Sequence, residues 1–306
     1  ISRSISEIKT DSYELNLEWA FALGVICAAW LPELAVAAEP NPPLEEIIVT
    51  ASLRPMTVAE FPSSVTVLDA DVLEAAGLQH MQDVLGLVPN LSWSGGTSRP
   101  RYYLLRGVGE LEQYQGAPNP SIGFLIDGID FRGVGMPATS FDVEQVEVLR
   151  GPQGTSYGAN ALGGLIKVTS NAPTTDTVIV AEAGAGGDGY ASGGLVVGGA
   201  LPLGGDDDAW RLVAQHAHVD GFRHNAYLDR EDTNERDETT LRGRLHLGLP
   251  ADWRADATVM YANLDNGFDA FSLDNSLTTR SNQPGCDEQR SIGASLRLDG
   301  DLGEVN

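Results

Sequence analysis

A stretch of nineteen residues in the middle of the chain, Val146–Gly164, constrains the fold more than any other part of the sequence. Its first four residues are aliphatic or β-branched apart from Glu147, and they favour a strand. Arg150-Gly151-Pro152 then favours a turn, because proline lacks an amide hydrogen and glycine tolerates positive φ. The residues that follow contain too many glycines for a stable helix. A buried strand that leads into a structured glycine-rich loop is therefore predicted.

This stretch resembles the plug signature of TonB-dependent outer-membrane receptors, in which Arg150, Gly151, Pro152, Tyr157 and Asn160 occur in the same order. A glycine-rich loop in another β protein is the alternative interpretation. The resemblance covers residues 45 to about 173. It implies an α+β plug domain, with a small mixed sheet and short helices, followed by the antiparallel strands of a transmembrane β-barrel. Receptors of this family import scarce nutrients, most often iron–siderophore complexes.

The N-terminal region contains an apolar run at residues 20–31, followed by small residues up to Ala38. About a dozen apolar residues are too few to cross a bilayer as a helix, but they fit the core of a signal peptide. Residues 1–38 are therefore predicted to be a signal peptide, with a buried core helix as the alternative. Cys27 lies in this leader, which leaves Cys286 without a disulfide partner in the mature chain.

Residues 39–61 are predicted to be a linker, because they open with a proline-rich tract. Within this linker lies a β-branched run that has no evident partner strand in the chain. An unpaired strand can add to the sheet edge of another protein. By resemblance the run is the TonB box, the segment that the periplasmic TonB protein grasps, and an ordinary first strand is the alternative. The predicted TonB-binding residues are Glu45, Glu46, Ile47, Ile48, Val49, Thr50 and Ala51.

Residues 62–173, the predicted plug domain, mix the sequence patterns of helices and strands. Asp69 is a plausible helix N-cap, and Gly77 a plausible helix stop. The Asp127-Gly128 pair predicts a hairpin turn. The predicted elements are a strand at Val65–Leu68, helices at Val72–Ala76 and about Met81–Leu87, a strand from Tyr102 into a turn at Gly107, a hairpin at Ile122–Phe131, and strands at Val143–Leu149 and Leu165–Ser170.

Residues 176–306 lose the helical period and alternate with a period of two. In one segment Thr239, Leu241, Leu245, Leu247 and Leu249 share a face, and Thr240, Arg242, Arg244 and His246 share the other. Strands of about ten residues with this alternation are typical of membrane β-barrels, although soluble β-sandwiches alternate too. Long connections are expected near Gly187, Gly221–Glu238 and Asn263–Arg290. About six strands are predicted, so this region is interpreted as the first part of a barrel that is incomplete in this chain.

Charged residues at strand ends are candidates for ion pairs between plug and barrel. Arg106 and Arg150 each precede a glycine, and the resemblance implies that such plug arginines pair with acids on the barrel wall. Glu144 and Glu147 lie on a strand that matches a structural motif, so ion pairing is favoured over acid–base catalysis. The predicted plug–barrel ion-pairing set is therefore Arg106, Arg150, Glu144 and Glu147.

Other motifs do not support an enzyme or a bound cofactor. Gly184–Gly189 matches a dinucleotide-binding pattern, but no helix can follow it, so a hairpin loop is predicted. His216, His218 and His224 lack a recognisable ligand set and are interpreted as lumen or loop residues. The net charge of −24 excludes a nucleic-acid partner, which requires a basic face.

These observations predict a transporter in the outer membrane of a Gram-negative bacterium. TonB and a small-molecule substrate, most often a ferric siderophore, are the expected partners, and no cofactor, metal or catalytic residue is assigned. A receptor for vitamin B12, haem or an oligosaccharide, or a signal-transducing receptor, is the alternative.

Overall fold

The structure is a computed structural model that describes residues 48–51, 56–77, 80–95, 99–111, 121–132, 134, 139–157, 161–202 and 205–300. The predicted signal peptide and three residues of the predicted TonB box, Glu45, Glu46 and Ile47, lie outside the described residues. The helices are α1 (Ala70–Ala76), α2 (Met81–Gly86) and α3 (Gly154–Tyr157). Among the described residues, no helix is long and apolar enough to cross a membrane.

Strands dominate the described part of the chain. The first ten are β1 (Ile48–Val49), β2 (Met56–Thr57), β3 (Ser64–Asp69), β4 (Leu91–Ser94), β5 (Tyr102–Leu105), β6 (Val108–Gly109), β7 (Ile122–Ile126), β8 (Ile129–Asp130), β9 (Val143–Arg150) and β10 (Gly164–Ser170). The other eight are β11 (Val178–Ala185), β12 (Ala191–Ala200), β13 (Ala209–Val219), β14 (His224–Asn225), β15 (Arg236–Leu249), β16 (Trp253–Phe268), β17 (Thr278–Thr279) and β18 (Gly285–Asp299).

The N-terminal mixed domain, formed by β1–β10 and the three helices, is built on a five-stranded sheet of order β3-β9-β10-β7-β8. The β10–β7 pair is parallel, and the other pairs are antiparallel. The β7–β8 hairpin turns at Asp127 and Gly128, both of which have positive φ. This geometry is the type I′ turn that an Asp-Gly pair favours, and the predicted hairpin is confirmed.

The central strands β9 and β10 are buried on both faces. On one face Val146, Val148 and Ile166 pack with residues of α2, among them Val84 and Leu85. On the other face Leu149 and Leu165 pack against Val49 and Ala51. The segment that begins the described chain therefore completes the second core of the sheet.

Two of the three short helices lie close to where the sequence predicts, although α1 begins at Ala70 and not at Val72. The expectation that the glycine-rich loop contains no helix is wrong for α3, a single turn in which the Tyr157 amide donates to the Gln153 carbonyl. The Asp69 side chain accepts a hydrogen bond from the Val72 amide, as an N-cap does, and Gly77 ends α1 with φ of 63°. Helix α2 ends at Gly86, ahead of Pro89. Local capping chemistry thus sets both helices.

The wall sheet, formed by β11, β12, β13, β15, β16 and β18, is a fully antiparallel six-stranded sheet. The predicted number of strands is confirmed, and the sheet does not close on itself among the described residues. The predicted long loop at Asn263–Arg290 is wrong in its limits. β16 continues to Phe268 and β18 begins at Gly285, because the Asn263↔Arg290 to Phe268↔Gly285 pairs extend the ladder.

The two faces of the wall sheet differ in character. One face exposes large apolar side chains, among them Leu195, Leu212, Leu241, Leu245, Val259, Ile292 and Leu296. The other face meets the mixed domain, and Met260 joins the core that contains Phe124 and Val146. Buried polar residues, among them Arg211, Arg242 and Thr258, lie on this inner face. The predicted alternation of apolar and polar faces is therefore confirmed.

Candidate functional site

The docked segment, residues 48–51, lies against the central sheet of the mixed domain. Ile48 and Val49 form antiparallel pairs with Thr57 and Met56. The side chain of Val49 is completely buried, whereas Ile48 is 46% exposed. The expectation that this segment has no partner within the chain is wrong, because β2 pairs with Ile48 and Val49, and the sheet supplies an apolar surface for Val49 and Ala51.

Four polar side chains, Gln145, Glu147, Tyr157 and Lys167, form a cradle around the backbone of the docked segment. The Thr50 amide donates to Glu147 Oε1 at 2.5 Å, and the Ala51 amide donates to the same oxygen at 3.3 Å. Lys167 Nζ donates to the Thr50 carbonyl at 2.9 Å. Tyr157 Oη donates to the Ala51 carbonyl at 2.7 Å. The cradle therefore satisfies backbone groups that a partner strand would otherwise bind.

The electrostatics of the cradle depend on burial. Glu147 is fully buried, and its Oε2 accepts from Thr50 Oγ1 at 2.9 Å and lies 3.6 Å from Lys167 Nζ. Burial lowers the pKa of Lys167, although the neighbouring Glu147 carboxylate opposes the shift. Burial also raises the pKa of the Tyr157 hydroxyl, and Glu147 adds to this shift. A buried carboxylate needs donors, and the docked segment supplies three of them.

A second group of charges, the wall cluster, joins the mixed domain to the inner face of the wall sheet. Its members are Asp127, Asp142, Arg211, Arg242 and Arg244. The Asp142 carboxylate accepts from Arg211 Nε at 3.1 Å and from Arg242 Nη2 at 3.0 Å. Arg242 Nε lies 4.0 Å from Asp127, and Arg244 Nη1 lies 3.9 Å from it. Because these groups are nearly all buried, the mixed domain and the wall sheet cannot separate without breaking these ion pairs and leaving charged groups unpaired.

Arg99 makes another buried ion pair between the mixed domain and the wall sheet. Its guanidinium donates from Nε to Asp287 on β18 at 2.8 Å and also through Nη2. Arg101 Nη2 donates to the same carboxylate at 3.1 Å. The fork of Arg99 onto Asp287 has the two-point geometry that arginine and carboxylate favour.

Two glycines of the wall sheet let the mixed domain approach closely. A Cβ atom at Gly194 would lie 2.6 Å from the Phe141 ring, and one at Gly293 would lie 2.5 Å from Ile129. Beside the second contact, Ser295 Oγ donates to the Asp127 carbonyl at 2.7 Å. The absence of side chains at these positions is therefore what allows the two layers to fit.

The structure places the predicted ion-pairing residues differently from the expectation. Arg150 donates to Thr66 Oγ1 and to the Pro89 carbonyl, both within the mixed domain. Glu147 belongs to the cradle and accepts hydrogen bonds from the amides of Thr50 and Ala51. Glu144 is exposed, and desolvation raises its pKa against the attraction of Arg244. Arg106, at a turn with φ of 54°, makes no ion pair with another described residue.

Among the described residues, none of these four forms an ion pair with the wall sheet, and the wall cluster has the reverse of the expected charge pattern. In the wall cluster the acids belong to the mixed domain and the arginines to the wall. The sequence carried a sign of this arrangement, because Arg242 and Arg244 share the polar face of a predicted strand. The missing information was that the turn residues Asp127 and Asp142 face them.

The histidines pair with carboxylates near the ends of the wall strands. His218 Nε2 lies 3.1 Å from Asp220, and its Nδ1 lies 3.5 Å from Asp237. His224 lies 2.7 Å from Glu231. Within the described ranges, no group of three or more His, Cys, Asp or Glu side chains is arranged to hold a metal ion.

Comparison with known proteins finds a family model that matches most of the mixed domain. Residues 57–165 match the family model described as TonB-dependent Receptor Plug Domain. The chain is 32% identical over 158 residues to the catecholate siderophore receptor Fiu of Escherichia coli K12, which covers 51% of this chain and 19% of that protein. It is 29% identical over 152 residues to the vitamin B12 transporter BtuB of Vibrio vulnificus, which covers 47% of this chain and 23% of that protein.

The likeness in structure extends into the wall sheet. The fold is similar to that of the ferric yersiniabactin uptake receptor FyuA from Yersinia pestis, with a TM-score of 0.66 and 22% identity. That match covers 78% of this chain and 38% of the other. The matched part of this chain spans only about a fifth of the length of these two curated relatives.

Proposed function

We propose that this chain, which carries the plug domain of TonB-dependent receptors, is part of an active transporter in the outer membrane of a Gram-negative bacterium. The observation that carries this proposal is the seating of the plug domain against the polar inner face of an antiparallel sheet whose outer face is apolar. A membrane barrel needs such an apolar outer band. The strands of residues 176–306 would then be the first strands of the barrel around the plug of residues 62–173.

The energy for transport would come from TonB, acting from the periplasm on the predicted TonB box, Glu45–Ala51. Four residues of this segment are docked on the plug, and their backbone groups are held by the cradle. The bonds that hold it are few, and most of them end on β9 and β10 of the plug sheet, while the bond from Tyr157 ends on α3. A pull on the segment would therefore act directly on β9 and β10, which carry Glu147 and Lys167.

The substrate that we favour is a ferric siderophore, as for the catecholate receptor that the chain resembles. Vitamin B12 is the main alternative, since a B12 transporter is similar over a comparable part of the chain. Haem, an oligosaccharide, or a role in signalling are further alternatives. The transport function predicts no catalytic turnover by the chain.

The test is uptake by cells that express the receptor and lack their own receptors for the probe. Radioactive ferric complexes of catecholate, hydroxamate and carboxylate siderophores, and labelled cyanocobalamin, are the probes. Ile48→Pro removes an amide donor and fixes φ, so we expect accumulation to fall at least tenfold while surface binding stays within twofold. Val58→Pro, in the turn after β2, is the matched control, and it should transport normally.

The outcomes separate the parts of the proposal. Normal accumulation by Ile48→Pro would remove the TonB-box assignment. Accumulation that persists without TonB or without a proton gradient would remove active transport altogether. Uptake of cyanocobalamin alone would keep the transport mechanism and replace the siderophore.

A further inference from the structure

Two long connections of the wall sheet are joined to each other. The first loop, residues 220–235, links β13 to β15, and the second loop, residues 269–284, links β16 to β18. Strand β14 of the first loop pairs in parallel with β17 of the second. The His224 amide donates to the Leu277 carbonyl at 3.1 Å, and the Ala226 amide donates to Thr279 at 2.9 Å. The two loops thus share a small sheet of their own.

A buried carboxylate lies at the centre of this junction. Asp269 Oδ2 accepts from Asn225 Nδ2, from Thr233 Oγ1 and from Thr279 Oγ1, each at 2.7 Å. Asn225 and Thr279 are completely buried, and Asp269 and Thr233 are 4% exposed. Two of the three donors come from the first loop, while the carboxylate belongs to the second.

The neighbours of Asn225 extend the same network. Its Nδ2 also donates to the Ser281 carbonyl at 2.9 Å. Its Oδ1 accepts from the amides of Tyr227 and Leu228, each at 3.0 Å. One asparagine therefore shapes the tip of the first loop and binds the second loop at two points.

This arrangement resists separation of the loops. If the first loop moved away, a buried carboxylate would keep a single donor, and the cost of an under-bonded buried charge is large. Hydrogen bonds to a carboxylate are also stronger than neutral ones. Surface loops in general move independently and tolerate change, so a fully buried polar junction between two of them is a specific constraint.

We propose that Asp269 is a positioning residue that fastens the two loops into one rigid unit. The unit carries exposed apolar side chains from both loops, with Tyr227 66% exposed on the first and Phe271 and Leu273 80% and 96% exposed on the second. Phe271 is further oriented by an edge contact with Phe268, at 5.6 Å between ring centroids. Asp269 therefore fixes the spacing of apolar groups that the two loops present together.

The coupling of the loops is independent of the transport proposal. Their outward direction rests on that proposal, since long connections of an outer-membrane barrel face the exterior. If both hold, any ligand that draws one loop inward must draw the other with it. The two loops would then close over a ligand as one body.

The test measures the distance between the loops in the folded receptor in detergent. Cysteines replace Tyr227 and Leu273 for spin labelling, in a background where the exposed Cys286 is changed to Ser. The unchanged junction should give one narrow distance distribution by pulsed electron paramagnetic resonance. Asp269→Asn and Asp269→Ala should broaden it at least twofold. The melting temperature of the sheet should stay within a few degrees, which separates loop positioning from general unfolding.

Asp274→Asn is the matched control, because this acid lies in the same loop and bonds only locally, to the Ser276 amide at 3.0 Å. It should leave the distribution unchanged. Thr233→Val removes one of the two donors that cross from the first loop to Asp269, and it should give an intermediate width even if the Asp269 variants fail to fold. A broad distribution with the junction intact, or an unchanged one in both Asp269→Ala and Thr233→Val, would overturn the proposal.

Discussion

Replacing Glu147 with glutamine should release the docked segment from the mixed domain. The carboxylate accepts from the Thr50 amide, the Thr50 hydroxyl and the Ala51 amide. A glutamine keeps one acceptor oxygen and introduces a donor that faces other donors. It also leaves the buried ammonium of Lys167 without its nearest counter-charge, which is 3.6 Å away.

The size of the effect follows from the kind of bond that is lost. A hydrogen bond to a charged group contributes about 1.5–3 kcal/mol, and at least one such bond is lost with the ion pair. The released backbone returns to water, which limits the total. We expect docking to weaken by about 2–4 kcal/mol, which corresponds to roughly 30- to 700-fold in the docking equilibrium.

The assay is the mobility of a spin label at Ile48→Cys, in a background where Cys286 is replaced by Ser. Position 48 tolerates a label because its side chain is 46% exposed. The label should be immobile with Glu147 present and mobile in Glu147→Gln. Glu144→Gln is the matched control, since Glu144 lies on the same strand but is exposed and makes no hydrogen bond to the docked segment.

Two results would refute this reasoning. If the label stays immobile in Glu147→Gln, the burial of Val49 and Ala51 holds the segment, and the cradle is incidental. If Glu144→Gln releases the segment equally, the effect comes from the net charge of the strand. If the reasoning holds and the segment is the TonB box, a periplasmic TonB fragment should bind Glu147→Gln more tightly, because docking no longer competes.

Further predictions concern the wall contacts and the pH dependence of docking. Gly194→Ala should destabilise the folded receptor by about 1–3 kcal/mol, because its Cβ would overlap the Phe141 ring, whereas Gly193→Ala meets open space; thermal unfolding of both variants measures the difference. Arg242→Gln should cost about 1.5–3 kcal/mol in denaturant unfolding, because Asp142 and Asp127 each lose one arginine partner while Arg211 and Arg244 remain in place. Burial lowers the pKa of Lys167, so the docked state binds fewer protons than the released state between that lowered pKa and the ordinary value of 10.5. Docking should therefore strengthen as the pH rises through this interval. Below the interval, titration of Lys167 should add no pH dependence to docking. The mobility of the label at position 48 measures both effects.

Much of the fold could be predicted because its signals are local. Asp69 and Gly77 cap a helix through their own chemistry, and Asp127-Gly128 sets a turn whatever surrounds it. The two-residue period of β15 and β16 likewise follows from burial of one face. The limits of the second long loop were predicted wrongly, because residues 263–268 continue β16 by pairing with β18. No local sequence pattern indicates this pairing.

The candidate site was harder to predict because its partners are distant in the sequence. Glu147 lies 97 residues from Thr50, and Arg242 lies 100 residues from Asp142. The β-branched residues of the docked segment correctly indicated a strand. They could not indicate whether its partner was another protein or the chain itself, because both partners would bind the same backbone groups.

This ambiguity is itself informative about how the proposed function would work. A segment that must be captured by another protein has a hazard, since an unpaired strand also invites aggregation. Docking on the plug removes that hazard, and the docked segment is held by few enough hydrogen bonds that docking can be reversed. Packing of Val49 and Ala51 on the sheet holds the segment against the plug, and the hydrogen bonds to the buried carboxylate of Glu147 fix the orientation of its backbone. The same glutamate lies on the strand that runs into the Arg150-Gly151-Pro152 turn, so a pull on the segment would reach the glycine-rich loop through one residue.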